Sequence, residues 1–395
     1  MRTIKQIIAV TLLNIRNLPQ RLATSSVAVV GVGAVVLVFA GVLSMASGLE
    51  KTMVSAGSEG TAVILRSGAT SELNSGFGND QVLIVSNAPG VLKDGDRPII
   101  SAELYVLTDV RKRSNDVDAN VPFRGVQEGA FDVRDNVRMV EGRQFEPGKN
   151  ELIVGRSAQS EYVGLDVGDT IRFGQVDWAV VGAFEAGGSV SESELWTDVR
   201  VLQDAYRRGN SFQSIRVKLE SPDSIDILRQ TLEEDPRIEP DVMTERDYYS
   251  SQSEGLVQFI KYIGYPLTIL MAVGAIFGAL NSMYSSVSVR GKEIATLRAL
   301  GFGPTAILTS TVVESVLLAL VGGALGGLIA YLAFNGFQAS TLNGVSFSQV
   351  VFNFAVTPEL LGQGLKAALV IGIVGGLFPA IRAARLPVAQ ALREL

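Results

Sequence analysis

The sequence predicts an α-helical membrane protein with four transmembrane helices and a large α+β extracytoplasmic domain between the first and second helices. Three observations carry this reading. Charged residues make up only 19% of the 395-residue chain, and its mean hydropathy is +0.29; an ordinary soluble protein carries about 25% charged residues. Two runs of 28 residues, 22–49 and 262–289, contain no charge at all. The charges are also segregated. Residues 48–255 hold 22 Lys+Arg and 36 Asp+Glu, a net of −14, whereas the rest of the chain nets +8.

Composition excludes several chemistries. With no Cys there is no disulfide, thiolate nucleophile or Cys-ligated zinc. With no His there is no Ser-His-Asp triad, His-metal site or imidazole switch, and no metal is expected. A net charge of −6 argues against nucleic acid as a partner.

Residues 1–21 read as a cytoplasmic amphipathic helix. Ile4, Ile7, Ile8, Leu12 and Ile15 form an apolar stripe beside Lys5, Asn14 and Arg16, and the chain is expected to turn into the membrane at Pro19. Residues 22–47 form the first transmembrane helix. Ser44-Met45-Ala46 loosely resembles a signal-peptide cleavage site, but an h-region spans only about 7–15 residues, so the segment reads as a retained anchor.

Residues 48–255 read as a folded domain. Short β-type runs recur at Ala62–Leu65, Val82–Val85, Ile99–Thr108, Glu151–Val154, Thr170–Phe173, Trp178–Val181 and Ile215–Leu219, separated by turn signals such as Asp94-Gly95 and Val167-Gly168-Asp169. Helices are expected at 48–57, 156–163, 198–207 and 222–234. Residues of about 50–90 and 212–250 are expected to form a membrane-proximal part, and about 95–210 a distal part. The Gly/Ser/Asn-rich loop Arg66–Asp80 is expected to be mobile, either a surface for a substrate or partner or an ordinary solvated loop. Trp178 and Trp196 are expected in the core or at an interface. The scattered carboxylates offer no acid–base pair and are expected to form a solvated surface.

The second transmembrane helix is expected at 256–289, a cytoplasmic loop at 290–303, the third helix at 304–334, an extracytoplasmic loop at 335–359, the fourth helix at 360–381 and a cytoplasmic tail at 382–395. About 20 apolar residues span a bilayer. Gly322, Gly323, Gly326 and Gly327 in the third helix and Gly372, Gly375 and Gly376 in the fourth allow close helix approach. Lys and Arg lie in the N-terminal segment, the 290–303 loop and the tail, and are missing from 335–359. The positive-inside rule therefore puts both termini and the 290–303 loop in the cytoplasm, and 48–255 outside.

The tail running from Gly375-Gly376 through Pro379-Ala380-Ile381-Arg382-Ala383-Ala384-Arg385-Leu386-Pro387 to Leu392-Arg393 resembles the closing signature of FtsX/MacB-type (type VII) ABC transporter permeases. The stretch Arg290-Gly291-Lys292-Glu293-Ile294-Ala295-Thr296-Leu297-Arg298-Ala299-Leu300-Gly301 resembles that family's loop after its second helix. The outer block from Glu141-Gly142-Arg143 to Val180-Val181-Gly182 resembles its periplasmic domain more weakly. The resemblance covers nearly the whole chain. It implies a bacterial inner-membrane protein, a second permease copy or paralogue, two separate ABC ATPase subunits, and ATP-driven motion passed to the outer domains. It is closest to the exporter-like branch, which implies a periplasmic adaptor and an outer-membrane channel. One departure matters: no G-x-x-x-x-G-K-[ST] is present, and Gly148-Lys149 is followed by Asn150. ATP and Mg are therefore expected in a partner chain, with no cofactor here.

Several residues stand out as carriers of the mechanism. Ile294, Leu297 and Leu300 fall on one face of a short helix capped by Gly301, with Arg290, Lys292, Glu293 and Arg298 mostly elsewhere; this reads as a peg for the ATPase. Pro379, Arg382, Arg385, Pro387 and Leu392 mark the tail motif. Glu314 lies about 15 Å into the third helix at 1.5 Å per residue. It is expected either to make a polar contact controlling helix movement, to Asn281 or Ser282, or to be a protonated packing residue. Lys366 is expected to reach for the headgroups. The leading expectation is efflux or extrusion. FtsX-like control of an envelope hydrolase and lipoprotein release share the architecture.

Overall fold

The computed structural model describes residues 2–17, 22–55 and 57–387. The chain opens with α1 (Arg2–Asn17) and α2 (Leu22–Val54). It continues through β1 (Thr61–Arg66), α3 (Asn79–Ser86), β2 (Lys93–Asp94), β3 (Arg97–Pro98), β4 (Ile100–Arg111), β5 (Asp118–Val126) and α4 (Ala130–Val133). Next come β6 (Arg138–Gly142), β7 (Glu151–Gly155), α5 (Arg156–Glu161), β8 (Thr170–Phe173), β9 (Val176–Glu185), β10 (Leu195–Asp198) and α6 (Val199–Ala205). Then follow β11 (Ser214–Lys218), α7 (Ser224–Glu233), β12 (Pro240–Thr244), α8 (Glu245–Val289), α9 (Gly291–Ala299), α10 (Pro304–Phe334), β13 (Gln338–Leu342), β14 (Gln349–Asn353) and α11 (Pro358–Ala384).

The chain divides into two compact units, one of Met1–Ser47, Phe259–Phe337 and Phe354–Leu395, the other of Gly48–Gln258 and Gln338–Asn353. Four helices among the described residues are long and apolar enough to cross a membrane: α2, α8, α10 and α11. Each is uncharged or nearly so over a bilayer's length, and in lipid the helix is the single-segment solution that satisfies every backbone group.

Close packing of α2, α10 and α11 depends on small residues. A Cβ on Gly326 would sit 2.2 Å from the carbonyl oxygen of Gly33, so no larger side chain fits there. Ser315 Oγ donates to the Gly372 carbonyl at 2.8 Å across the α10–α11 seam. By contrast α8 shows Tyr262, Ile263, Leu270 and Phe277 largely exposed. On α1, Val10 and Asn14 are buried, whereas Ile8 and Leu12 of the expected stripe are exposed. Pro19 lies outside the described residues, as do the side chains of Ile4, Lys5 and Ile15.

The second unit is built on one ten-stranded sheet of order β12-β1-β11-β4-β5-β10-β7-β9-β6, with β8 paired to β9. Strand β4 joins its two halves. Its first residues pair with β11 (Ser214 opposite Glu103), and the rest pairs with β5 (Tyr105 opposite Arg124). The expected membrane-proximal and distal parts thus share one sheet. Alternation places Ala62, Ile64, Ala102, Leu104, Phe123, Ile215 and Val217 on one face, in the main apolar core, together with Trp178. Trp196 is buried in a smaller core with Phe184 and Ile153.

Three expectations need correction. Val82–Val85 lies in helix α3, not in a strand; the run is as compatible with a short buried helix, and Gln81 supplies the side-chain bond to Gly78 N at its start. The helix of the second apolar run begins at Glu245, eleven residues before the apolar run suggests, because its first turns are polar. Finally, 335–359 is more than a loop. Its hairpin β13–β14 belongs to the sheet-bearing unit: Val351 enters the main core, Ser193 Oγ accepts from Val351 N at 3.0 Å, and Lys112 Nζ donates to Ser340 Oγ at 2.7 Å.

Candidate functional site

The first candidate is the turn where α8 gives way to α9. Helix α9 ends in a glycine-dependent cap. Gly301 has φ +94°, its N–H bonds Arg298 O at 3.1 Å, and the Phe302 N–H bonds Leu297 O at 3.1 Å. Only glycine takes that backbone region without strain. Pro304 then starts α10 with its φ already helical. Gln6 on α1 braces the turn by donating to Gly301 O at 3.3 Å.

The burial of α9 corrects the expected docking face. Ile294 is 4% exposed, in an apolar cluster with Val287, Ile307 and Ala383, whereas Leu300 is 72% exposed. The two therefore point to different surroundings, and Ile294 serves the chain's own core. The outward face is Lys292, Glu293, Thr296 and Leu300, with Leu297 half-buried. Arg298 ties the helix to the tail by donating from Nη1 to Leu386 O at 2.7 Å.

Arg290 also turns inward. Its Nη1 donates to Glu314 Oε2 at 2.8 Å, Nη2 donates to Asn14 Oδ1, and Nε lies 3.4 Å from Glu293 Oε2. Glu314 therefore meets Arg290, not the expected Asn281, which is exposed. An arginine side chain is long enough to reach one helical turn or more into the bundle, and a buried carboxylate is tolerated when a guanidinium answers it. One charge pair and an amide thus join α1, α9's start and α10. In the tail motif, Pro379 is buried within α11, Arg382 stacks over the Tyr284 ring at 5.7 Å, and Arg385 and Pro387 are exposed. Leu392 lies outside the described residues. Lys366 is exposed on α11.

The second candidate escaped the sequence reading. On the sheet face opposite the main core, Arg124 and Arg216 stand beside Glu103, with Arg134 from the α4 end. Arg124 grips two carboxylates in bidentate fashion, Glu72 at 2.7 and 2.9 Å and Glu194 at 2.7 and 2.8 Å. It also reaches Glu103 at 2.9 Å. Arg134 forks onto Glu103 at 2.7 and 2.8 Å. Arg216, fully buried, bonds Glu103 at 3.1 Å, Glu72 at 3.3 Å and Glu245 at 2.6 Å. Ser214 and Trp196 add donors to Glu72 and Glu194 at 2.5 and 2.7 Å.

Burial alone would raise the Glu72 carboxyl, but the Arg124 and Arg216 charges and the Arg124 and Ser214 hydrogen bonds hold it well below the carboxylate range. Burial likewise opposes ionisation of Glu103, and Arg134, Arg216 and Arg124 bring it down to about 2. These carboxylates are ionised and saturated by guanidiniums. Among the described residues, no group of three or more acidic side chains is set to hold a metal ion.

The network overturns two expectations. The 66–80 loop carries Glu72 into the buried centre and is pinned by Ser75 Oγ accepting from Arg66 N at 2.9 Å. Four of the supposed surface carboxylates, Glu72, Glu103, Glu194 and Glu245, are buried in this network. The start of α8 closes the cluster: Glu245 bonds Arg216, and Tyr249 accepts from Arg216 Nη2 at 3.2 Å. Two of the three arginines interrupt apolar or small residues within a strand, in Ile215-Arg216-Val217 and Phe123-Arg124-Gly125. That interruption of an apolar run is the signal that was available.

The comparisons agree with this architecture. Residues 22–235 match the model of the MacB-like periplasmic core domain, and residues 267–388 the FtsX-like permease C-terminal model. Over 321 residues the chain is 25% identical to a macrolide export ATP-binding/permease protein MacB of Paracoccus denitrificans, covering 75% of this chain and 45% of that protein. It is 26% identical over 347 residues to a MacB of Aeromonas hydrophila, covering 81% of this chain and 51% of that protein. It is 24% identical over 306 residues to an uncharacterized ABC transporter permease, YknZ, of Bacillus subtilis, covering 72% of each. The chain spans about half the length of the MacB relatives it matches. With two family models together matching most of it, this chain belongs to the FtsX/MacB-type ABC transporter permeases.

Proposed function

We propose that this permease is driven by a separate ABC ATPase seated on the outward face of α9, two ATPases serving a pair of permease chains, and that the assembly extrudes a substrate taken up from the periplasm. The observation that carries the docking reading is Leu300, a large apolar side chain 72% exposed at the end of a helix whose other face is locked into the bundle. A rigid helix presenting a leucine among Lys292, Glu293 and Thr296 suits a groove on a partner. ATP and Mg belong to that partner. The exposed apolar face of α8 suits a second copy or paralogue. The Lys/Arg bias supports a bacterial inner-membrane location with both termini cytoplasmic and the sheet domain periplasmic.

Efflux through a periplasmic adaptor and outer-membrane channel is supported by the export named for the Paracoccus and Aeromonas relatives. A second reading, mechanical control of an envelope hydrolase, draws on α8. This one helix gives residues 245–258 to the sheet unit and 259–289 to the membrane unit. Lipoprotein release uses the same coupling.

The test is purification of the tagged chain from native membranes in mild detergent, with its companions identified by mass spectrometry. An ATPase with an adaptor is expected; an ATPase with a hydrolase favours mechanical control, and one with lipoproteins favours release. Leu300→Asp should lower ATPase recovery roughly tenfold, as for an interface anchor. Full recovery with that variant would move the docking face elsewhere.

A further inference from the structure

A cleft of about 570 Å³ opens at the α9 end of the membrane unit, between the last turns of α8, the first turn of α9 and the end of α11. Its polar lining is Asn281, Tyr284, Ser285, Ser288, Lys292 and Arg382, and no acidic residue lines it. The four α8 residues fall at i, i+3, i+4 and i+7, one stripe of a helix. That stripe lies on a helix apolar enough to cross a membrane, and Asn281, Ser285 and Ser288 are exposed there. Among the described residues their side chains make no hydrogen bond with another residue, and neither Lys292 nor Arg382 has an ion-pair partner. Arg382 instead stacks on Tyr284 at 5.7 Å, which holds its guanidinium at the rim of the cleft.

Unpartnered amide and hydroxyl groups are costly against hydrocarbon. Here they line the same cleft as two cations near the ends of two helices long and apolar enough to cross a membrane, and the end of such a span falls at the headgroups. Hydroxyls, an amide and two cations with no carboxylate together select an anion with several acceptor oxygens. The backbone N–H groups at the start of α9 favour the same charge.

We propose that this cleft binds the phosphate-bearing headgroup of an anionic phospholipid. Lys292 and Arg382 contact the phosphate, and Ser285 and Ser288 hydrogen-bond its oxygens or the glycerol. The site borders the outward face of α9, sharing Lys292 with it while Leu300 lies outside the cleft, and it does not depend on which substrate is moved.

The experiment is native mass spectrometry of the detergent-purified full chain offered equal amounts of phosphatidylglycerol and phosphatidylcholine. The wild type should retain phosphatidylglycerol in preference. Lys292→Gln and Arg382→Gln should each weaken that retention about fivefold, and the pair about thirtyfold. Arg385→Gln, an exposed cation at the same end but outside the cleft, should leave it unchanged. Ser285→Ala/Ser288→Ala, which removes only two hydroxyls and keeps the helix, should give a smaller loss.

Four results would overturn the proposal. Equal retention of both lipids by the wild type would remove the site. A loss with Arg385→Gln as large as with Arg382→Gln would show diffuse surface attraction. Displacement of the lipid by millimolar inorganic phosphate would assign the cleft to a soluble phosphate. Unchanged lipid retention in the double variant together with lost ATPase recovery would make the cleft a protein contact.

Discussion

Among the described residues two buried arginine–glutamate clusters stand out, and they are built on opposite plans. In the sheet unit, three arginines and four glutamates share partners, so that Glu103 alone meets Arg124, Arg134 and Arg216. In the membrane unit, Arg290 meets one buried carboxylate, Glu314, and the Asn14 amide. The first is a mesh whose central members, Glu103 and Arg124, each meet three opposite charges. The second is a single hinge pin. Burying charge is costly in either place, and what offsets it is the completeness of the pairing. A mesh has no neutral subset that satisfies the remainder, whereas a pin does.

The largest expected effect is at the centre of the mesh. Glu103→Gln keeps the shape and removes the charge that three guanidiniums share, so it should cost about 3 to 5 kcal/mol of stability. Thermal or denaturant unfolding of the purified chain, followed by tryptophan fluorescence, reads this cleanly. The chain has only two tryptophans, and both are buried in the sheet unit. A cost below about 1 kcal/mol would mean that the mesh tolerates gaps, and the contrast would collapse.

Next comes the pin. Glu314→Gln leaves Arg290 with only the half-exposed Glu293 carboxylate and should cost about 3 kcal/mol. The double variant Arg290→Gln/Glu314→Gln should recover most of that, read as a coupling energy in a double-mutant cycle on thermal stability. No pairwise rescue is expected for Glu103 with any one arginine. If the double membrane variant is as damaged as Glu314→Gln, Arg290 does more than balance that charge.

Acid gives a gentler separation. Glu103 and Glu72 titrate lower in the folded state than in the unfolded chain, so their contribution is complete above the ordinary carboxylate value of 4.5. It is lost as the pH falls from there through about 2, the value held by Glu103. Tryptophan emission should hold steady to about pH 4.5 and then shift to the red, because Trp196 donates to Glu194 inside the same mesh. Loss of that signal already near pH 6 would mean that another group governs acid sensitivity. The smallest effect is expected at the hairpin: Ser193→Ala removes the hydroxyl that Val351 N uses and should cost about 1 kcal/mol by unfolding.

The sequence revealed the membrane helices and the sheet's existence more readily than either cluster. Apolar runs and small-residue spacing are local, so α2, α10 and α11 could be read directly. The polar first turns of α8 could not, because helical residues such as Glu245 and Tyr249 gain their reason from Arg216, which is 29 residues or more away along the chain. Glu72 sits among glycines and serines that signal a loop, and only its distant partners bury it. The Arg290–Glu314 bond spans 24 residues and Arg290–Asn14 spans 276, so Arg290 read alone resembled one more positive-inside charge. Ile294 and Leu300 differ by geometry that helical spacing does not reveal.

The hairpin β13–β14 has a consequence for how this protein is made. Ribosomes finish residues 48–258 well before 338–353, yet Val351 fills part of the sheet unit's core and Lys112 waits for Ser340. The sheet unit must therefore stay incomplete until α10 has been synthesised and the chain has come back to close it. Cutting out 48–258 as one continuous piece would leave an apolar hole where Val351 belongs and an uncovered Ser193. A soluble version should join 338–353 to the end of that piece by a short linker, which restores the missing plug without the membrane helices between.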